Sequence, residues 1–204
     1  MAGSLRFDRK SMAGFSLVEC LAALGILSLV VPSALGFLAA FRQQNAAEEA
    51  AQEMEANRKI VLDRVTLLVE QAGNNPLGIG LTPIQLNGST GITVESDTND
   101  GADGPPDGKL DGAFEQVTVE WDPTTRQVYQ RSGKGTRQPL ATEVSLFRVQ
   151  GWDAAAQPAA VMENVAWVSV YVRAEKLSPL FGGGRTVGAE GSRRIPVLSR
   201  LLGK

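Results

Sequence analysis

The order of hydrophobic and polar residues divides the chain into an apolar run, an amphipathic stretch and a region of short alternations. From Phe15 to Phe41 the residues are almost wholly apolar, with Glu19 the one carboxylate and no base. A run of roughly 25 such residues is enough for a helix to cross a ~30 Å hydrocarbon core. From Arg42 to Ala72 there is no Gly or Pro, and Ala, Glu, Gln and Leu, all good helix formers, predominate. Met54, Val61, Val65, Leu68 and Ala72 recur at helical spacing, which predicts one packed face, while Glu48, Glu49, Glu53, Glu55, Arg58 and Lys59 mark the wet faces. Gly73-Asn74-Asn75-Pro76 then supplies a C-cap and a turn. The spacing predicts a single helix from Phe15 to about Ala72, on the order of 85 Å at 1.5 Å per residue. A separate anchor followed by a coiled-coil stalk would need heptads throughout, and the run Ala46-Ala47-Glu48-Glu49-Ala50-Ala51 breaks them.

After Pro76 the composition shifts to strand and turn residues. Short strands are expected at Pro83–Asn87 and Ile92–Glu95. Phe114–Trp121 alternates, with Val117, Val119 and Trp121 on one face and Gln116, Thr118 and Glu120 on the other. Asp122-Pro123-Thr124-Thr125 reads as a turn into Gln127–Arg131, giving a hairpin. Glu143–Trp152 and Val165–Arg173 are two further strands, the second with Val168, Val170 and Val172 opposite Trp167, Ser169 and Tyr171. Arg194–Arg200 is expected as a final edge strand, because Pro196 is poorly tolerated in a central one. Gly182-Gly183-Gly184 and Gly188 to Gly191 are expected as a flexible surface loop. There are no internal repeats. The sum is an α+β chain, a long N-terminal helix laid on an antiparallel sheet.

Composition narrows the chemistry. At 204 residues, 43% hydrophobic and with a net charge of −2, the chain is neither disordered nor a polyanion binder by bulk charge. It contains no His, which removes His-based triads, His metal ligands and switching near neutral pH. No Ser–Lys pair and no Gly-rich phosphate loop opening a helix stands out, so no enzymatic activity is expected. The single Cys20 cannot form an internal disulfide and reads as a small apolar helix residue. Arg131, Lys134 and Arg137 gather near one turn, but no basic stripe with interleaved aromatics runs along the sequence, and direct nucleic-acid binding is not expected.

The start of the chain carries the most specific signal. Arg6, Arg9 and Lys10, against Asp8, form a basic head, followed by Gly14-Phe15-Ser16-Leu17-Val18-Glu19 and the apolar run. A secretory signal peptide has its apolar region before the cut. Here the apolar region follows Gly14, so cleavage there leaves the anchor on the mature chain. The basic head stays on the cytoplasmic side by the positive-inside rule, which puts the remainder across the membrane. This order resembles that of type IV prepilins, the precursors of pilins and pseudopilins, whose processing motif is a Gly, then commonly Phe, with Glu fifth in the mature chain. The resemblance implies cleavage between Gly14 and Phe15 by a prepilin peptidase, which also N-methylates Phe15. It further implies a pilin-like fold. The corresponding segments are a leader at 1–14, a transmembrane half-helix at 15–41, a periplasmic amphipathic half at 42–73 and a β-rich head at 74–204. Gly25, Pro32 and Gly36 interrupt the anchor, and Pro32 is expected to kink or open it. The Pro and Gly25 stand somewhat earlier than in major pilins, which points to a minor pilin or pseudopilin.

Glu19 is costly where it stands. On translocon scales the Asp counterpart costs about 2.5–3.5 kcal/mol at a helix centre, and intramembrane carboxylates are functional by default. The resemblance implies that Glu19 pairs with the N-terminal amine of another subunit and so docks the chain into a fibre. The implied partners are the peptidase, other pilin or pseudopilin subunits and an inner-membrane assembly platform. The implied location is a single-pass inner-membrane protein with a periplasmic head, passing into a pilus or pseudopilus. The alternatives are a type II secretion pseudopilin and a membrane-tethered binding module that never polymerises. One loop could hold a metal: Asp97, Asn99, Asp103, Asp107 and Asp111 lie among glycines. Calcium takes six to eight oxygens on tightly turning loops. Asp97 and Asn99 fit the alternation of such loops, but Gly101 stands at the third ligand position and no Glu stands at the twelfth. A solvated turn-rich loop has the same composition.

Overall fold

The computed structural model describes residues 16–97, 106–110, 115–159, 162–177 and 186–201. The chain forms two compact units, Met1–Asn45 and Ala46–Lys204, and helix α1 (Leu17–Gln71) contributes to both.

In the first unit every described residue, from Ser16 to Asn45, is exposed. Leu17, Leu29 and Phe37 are 79%, 73% and 70% accessible, so the apolar side chains have no protein to pack on. This part of the helix is long and apolar enough to cross a membrane. The helix runs through Pro32 without a break. Two hydroxyls bond back to its carbonyls: Ser28 Oγ donates to Gly25 O and Ser33 Oγ to Leu29 O, each at 2.7 Å. Such bonds keep a polar side chain satisfied inside an apolar helix.

In the second unit α1 becomes amphipathic. Met54, Val61, Leu62, Val65, Leu68 and Val69 are buried, at the spacing that puts them on one stripe. Beyond Gln71 the chain turns at Gly73, whose φ of +72° is the left-handed conformation a helix C-cap requires. Five strands form one antiparallel sheet in the order β1 to β5: Ile84–Leu86, Gly91–Glu95, Gln116–Asp122, Gln127–Ser132 and Gln138–Ala141. Three more, β6 (Val144–Trp152), β7 (Trp167–Leu177) and β8 (Thr186–Pro196), form a second antiparallel sheet, and a short helix α2 (Leu198–Leu201) follows. The stripe of α1 shares one core with Ile84, Ile92, Val94, Val117, Val119 and Val128 of the first sheet and Phe147, Val149, Val168, Val170, Val172 and Ile195 of the second. Polar ties flank it. Arg193 Nη1 bonds Asp63 Oδ1 and Thr66 Oγ1 at 2.9 and 3.0 Å, Lys176 Nζ meets Glu53 at 2.7 Å, and Arg64 Nε donates to Gln130 at 2.6 Å.

The α+β arrangement and most expected strands appear at or near their expected bounds. The hairpin at Asp122 forms as read, with Asp122 Oδ1 accepting from the Thr124 N–H at 2.8 Å. Four features differ. The strands form two antiparallel sheets rather than the one expected, because β5 and β6 do not pair. Strand β5 was not anticipated; it is a short edge strand that tolerates Pro139. The last strand is Thr186–Pro196 rather than Arg194–Arg200, and residues 198–201 are helical. Consequently Gly188 to Gly191 lie inside a strand and not in a flexible loop. The lack of a side chain at Gly188 and at Gly191 serves close approach: a Cβ on Gly188 would stand 3.0 Å from Ala174 O, and one on Gly191 would collide with the Arg58 guanidinium. Gly182-Gly183-Gly184 and the start of the expected strand at Phe114 lie outside the described residues.

Candidate functional site

The processing residues Gly14 and Phe15 lie outside the described residues; Ser16 and Glu19 are within them. Ser16 caps α1. Its Oγ accepts from the Glu19 N–H at 3.3 Å, and Glu19 Oε2 accepts from the Ser16 N–H at 2.9 Å and from Ser16 Oγ at 3.1 Å. This reciprocal arrangement is a capping box, which satisfies two of the backbone donors that a helix start leaves orphaned. The signature of this box, Ser-x-x-Glu, stands in the sequence at Ser16–Glu19. Both contacts use Oε2. Oε1 has no hydrogen-bond partner among the described residues, so Glu19 can hold its own helix end and still accept a donor from outside.

The acidic loop is divided. Asn99, Asp103 and Asp111 lie outside the described residues, and Asp97 and Asp107 lie within them. Asp97 follows β2, is fully buried, and accepts from the Gly108 N–H through Oδ2 at 3.2 Å. Its backbone N–H donates to Asn74 O at 2.8 Å, which joins the loop to the turn after α1. Asp97 Oδ1 is buried without a hydrogen-bond partner among the described residues. A buried carboxylate oxygen left unpaired is costly unless a proton or a cation takes it up. Asp107 is exposed and turned to Lys109, with Oδ1 on its N–H at 2.9 Å and Oδ2 on Nζ at 3.1 Å. The Lys109 contacts hold the Asp107 carboxyl below its ordinary range. Asp97 therefore keeps one buried oxygen for a donor or a cation, whereas Asp107 is already occupied by the Lys109 ammonium. Among the described residues no three Asp, Glu or Cys side chains gather as a metal-binding group. The two carboxylates nearest in sequence and strand pairing are otherwise engaged or covered: Glu95 accepts from Thr82 N–H and Gln116 Nε2, each at 3.0 Å, and Glu115 is buried.

Compared with known proteins, the chain matches no family model and no curated protein.

Proposed function

We propose that the chain is a pilin-like fibre subunit, a minor pilin or pseudopilin. It is cleaved between Gly14 and Phe15, N-methylated at Phe15, and assembled through its N-terminal helix into a type IV pilus or its tip. A type II secretion pseudopilus would use the same parts. The observation that carries this reading is Glu19: one carboxylate at the start of a helix that is otherwise apolar as far as Phe41 and exposed as far as Asn45, with one oxygen engaged in the capping box and the other without a hydrogen-bond partner among the described residues. An exposed apolar helix needs lipid or other helices around it, and a carboxylate there needs a counter-charge. The amine freed at Phe15 of a neighbouring copy supplies both the charge and the donor. The head, held to the lower half of the helix by a shared core, would then be carried on the fibre surface. In this reading the chain does no catalysis, and its partners are the peptidase, the assembly platform and other subunits.

The test is to shear or cross-link fibres from cells that make the protein and measure its mass in the fibre fraction. The reading expects a chain beginning at methylated Phe15 in that fraction. A processed chain found only as a monomer in the membrane would point instead to a tethered module.

A further inference from the structure

Strand alternation in the second sheet assembles a surface that is scattered along the sequence. The inward rows, Phe147–Val172–Gly191, Val149–Val170–Arg193 and Gly151–Val168–Ile195, face the core. The outward rows are Arg148–Tyr171–Ser192, Gln150–Ser169–Arg194 and Trp152–Trp167–Pro196. Side chains directly opposite on one face lie about 5 Å apart at Cβ, so Trp152 and Trp167 are immediate neighbours. The Arg194 guanidinium lies over both, 5.9 Å from the Trp152 ring and 5.0 Å from the Trp167 ring. Trp152 Nε1 donates to Ser169 Oγ at 2.7 Å, which fixes the first ring.

The charges on this face are unevenly matched. Arg173 is neutralised by Glu190 at 2.8 Å, and Tyr171 also donates to Glu190, at 2.6 Å. Arg148 and Arg194 are exposed and have no carboxylate partner among the described residues. From strand spacing and rise their Cα atoms are about 12 Å apart across the sheet, on either side of the Trp167–Tyr171 line. Three aromatic rings, with Arg148 in the row of Tyr171 and Arg194 in the row next to the two indoles, share one face of an antiparallel sheet; rings on which bases stack and arginines that meet phosphates are what a sheet face uses to take a single-stranded nucleic acid.

We propose that the outer face of β6–β7–β8 binds single-stranded nucleic acid, with Trp152, Trp167 and Tyr171 as the stacking platform and Arg148 and Arg194 as phosphate contacts. A guanidinium stacked on Trp presents its N–H edge to an anion, so Arg194 joins the two functions. Sequence alone argued against such binding because the basic and aromatic residues come from three strands and never form a linear stripe. The proposal does not depend on whether the chain polymerises.

The experiment uses the full chain in a neutral detergent and a fluorescein-labelled 12-nucleotide oligothymidine, with fluorescence anisotropy as readout. Saturable binding is expected, with log K falling against log salt at a slope of about −1.4, two phosphates at ~0.7 each. Arg148→Ala or Arg194→Ala should each flatten the slope by about 0.7. Trp167→Ala should weaken binding about five-fold or more, and Trp167→Phe should restore most of it, which separates stacking from loss of fold. An abasic oligomer with the same phosphates should bind more weakly by at least the same factor. Absence of binding at low salt, binding indifferent to these substitutions, or equal binding of the abasic oligomer or heparin would each overturn the proposal, the last by making the face a general polyanion or acidic-glycan site.

Discussion

Replacing Gly73 by Ala tests how the end of α1 is fixed to the sheet. Gly73 has φ +72° and donates its N–H to Glu95 O of β2 at 2.9 Å. A Cβ there would stand 2.5 Å from Ser199 Oγ, 2.9 Å from Ser199 Cβ and 3.0 Å from Pro83 Cγ. Two penalties follow: about 1–2 kcal/mol for an L residue in the left-handed region, and about 1–3 kcal/mol for forcing a methyl into filled space. At roughly 2–4 °C per kcal/mol for a chain of this size, Gly73→Ala should lower Tm by about 4–20 °C. The assay is thermal unfolding of the full chain in detergent by tryptophan fluorescence, since Trp121, Trp152 and Trp167 all lie in the second unit. In a Ser199→Gly background the two closest steric contacts go, only the 3.0 Å approach to Pro83 Cγ is left, and the conformational part remains, which a double-mutant cycle separates. A Gly73→Ala protein melting with wild type would refute both penalties. A loss of the same size with and without Ser199 would refute the steric one.

Gly14→Ala should leave the leader attached while the wild type begins at methylated Phe15, and intact-mass measurement of membrane-extracted protein decides it. If Asp97 Oδ1 helps gather a cation, millimolar calcium should raise Tm for the wild type and not for Asp97→Asn, since a ligand bound only to the folded state stabilises it; no shift in either protein leaves the loop a turn-rich one. The Arg137 contact holds the Glu120 carboxyl below its ordinary 4.5. A depressed carboxyl pKa contributes stability that is present above the unfolded value and is lost as pH falls through the folded one, so Arg137→Ala should flatten the acid limb below about pH 4.5. The pair is partly exposed and the effect should stay within about 1 kcal/mol; an acid limb identical in both proteins would count against it.

The helix was legible because its signals are local and repeated: an apolar run, then a stripe through Val61, Val65, Leu68 and Ala72, then Gly73. The β3–β4 hairpin and β7 were legible for the same reason, in their alternation and their turn residues. What escaped was non-local. Gly188 and Gly191 look like loop residues until Ala174 and Arg58 are seen to occupy the space a side chain would need. Strand β5 is four residues long and half exposed, with no periodicity to read. Asp97 looks like a wet turn residue, yet it is fully buried, because its N–H is drawn to Asn74 O beyond the end of α1. At the candidate site the Ser16–Glu19 capping box was written in the spacing, whereas spacing does not say that Oε2 takes both bonds and leaves Oε1 without a partner among the described residues. The Trp–Arg face needed the strand register.

The most direct test of the fibre-subunit account is the ratio of fibre-associated to membrane-associated protein for wild type, Glu19→Gln and Glu19→Ala. Gln can still serve in the capping box, so it keeps the helix start and removes only the charge, whereas Ala removes both. Insertion should be unchanged in all three, because the apolar run suffices for it. Assembly should not be: leaving a partner ammonium buried without its counter-charge costs about 3–5 kcal/mol, two to four decades in an assembly equilibrium. The account predicts that processed Glu19→Gln protein stays in the membrane and is lost from fibres as completely as Glu19→Ala. A Glu19→Gln ratio equal to that of the wild type would contradict it, and would leave the chain a membrane-tethered module whose carboxylate only caps a helix.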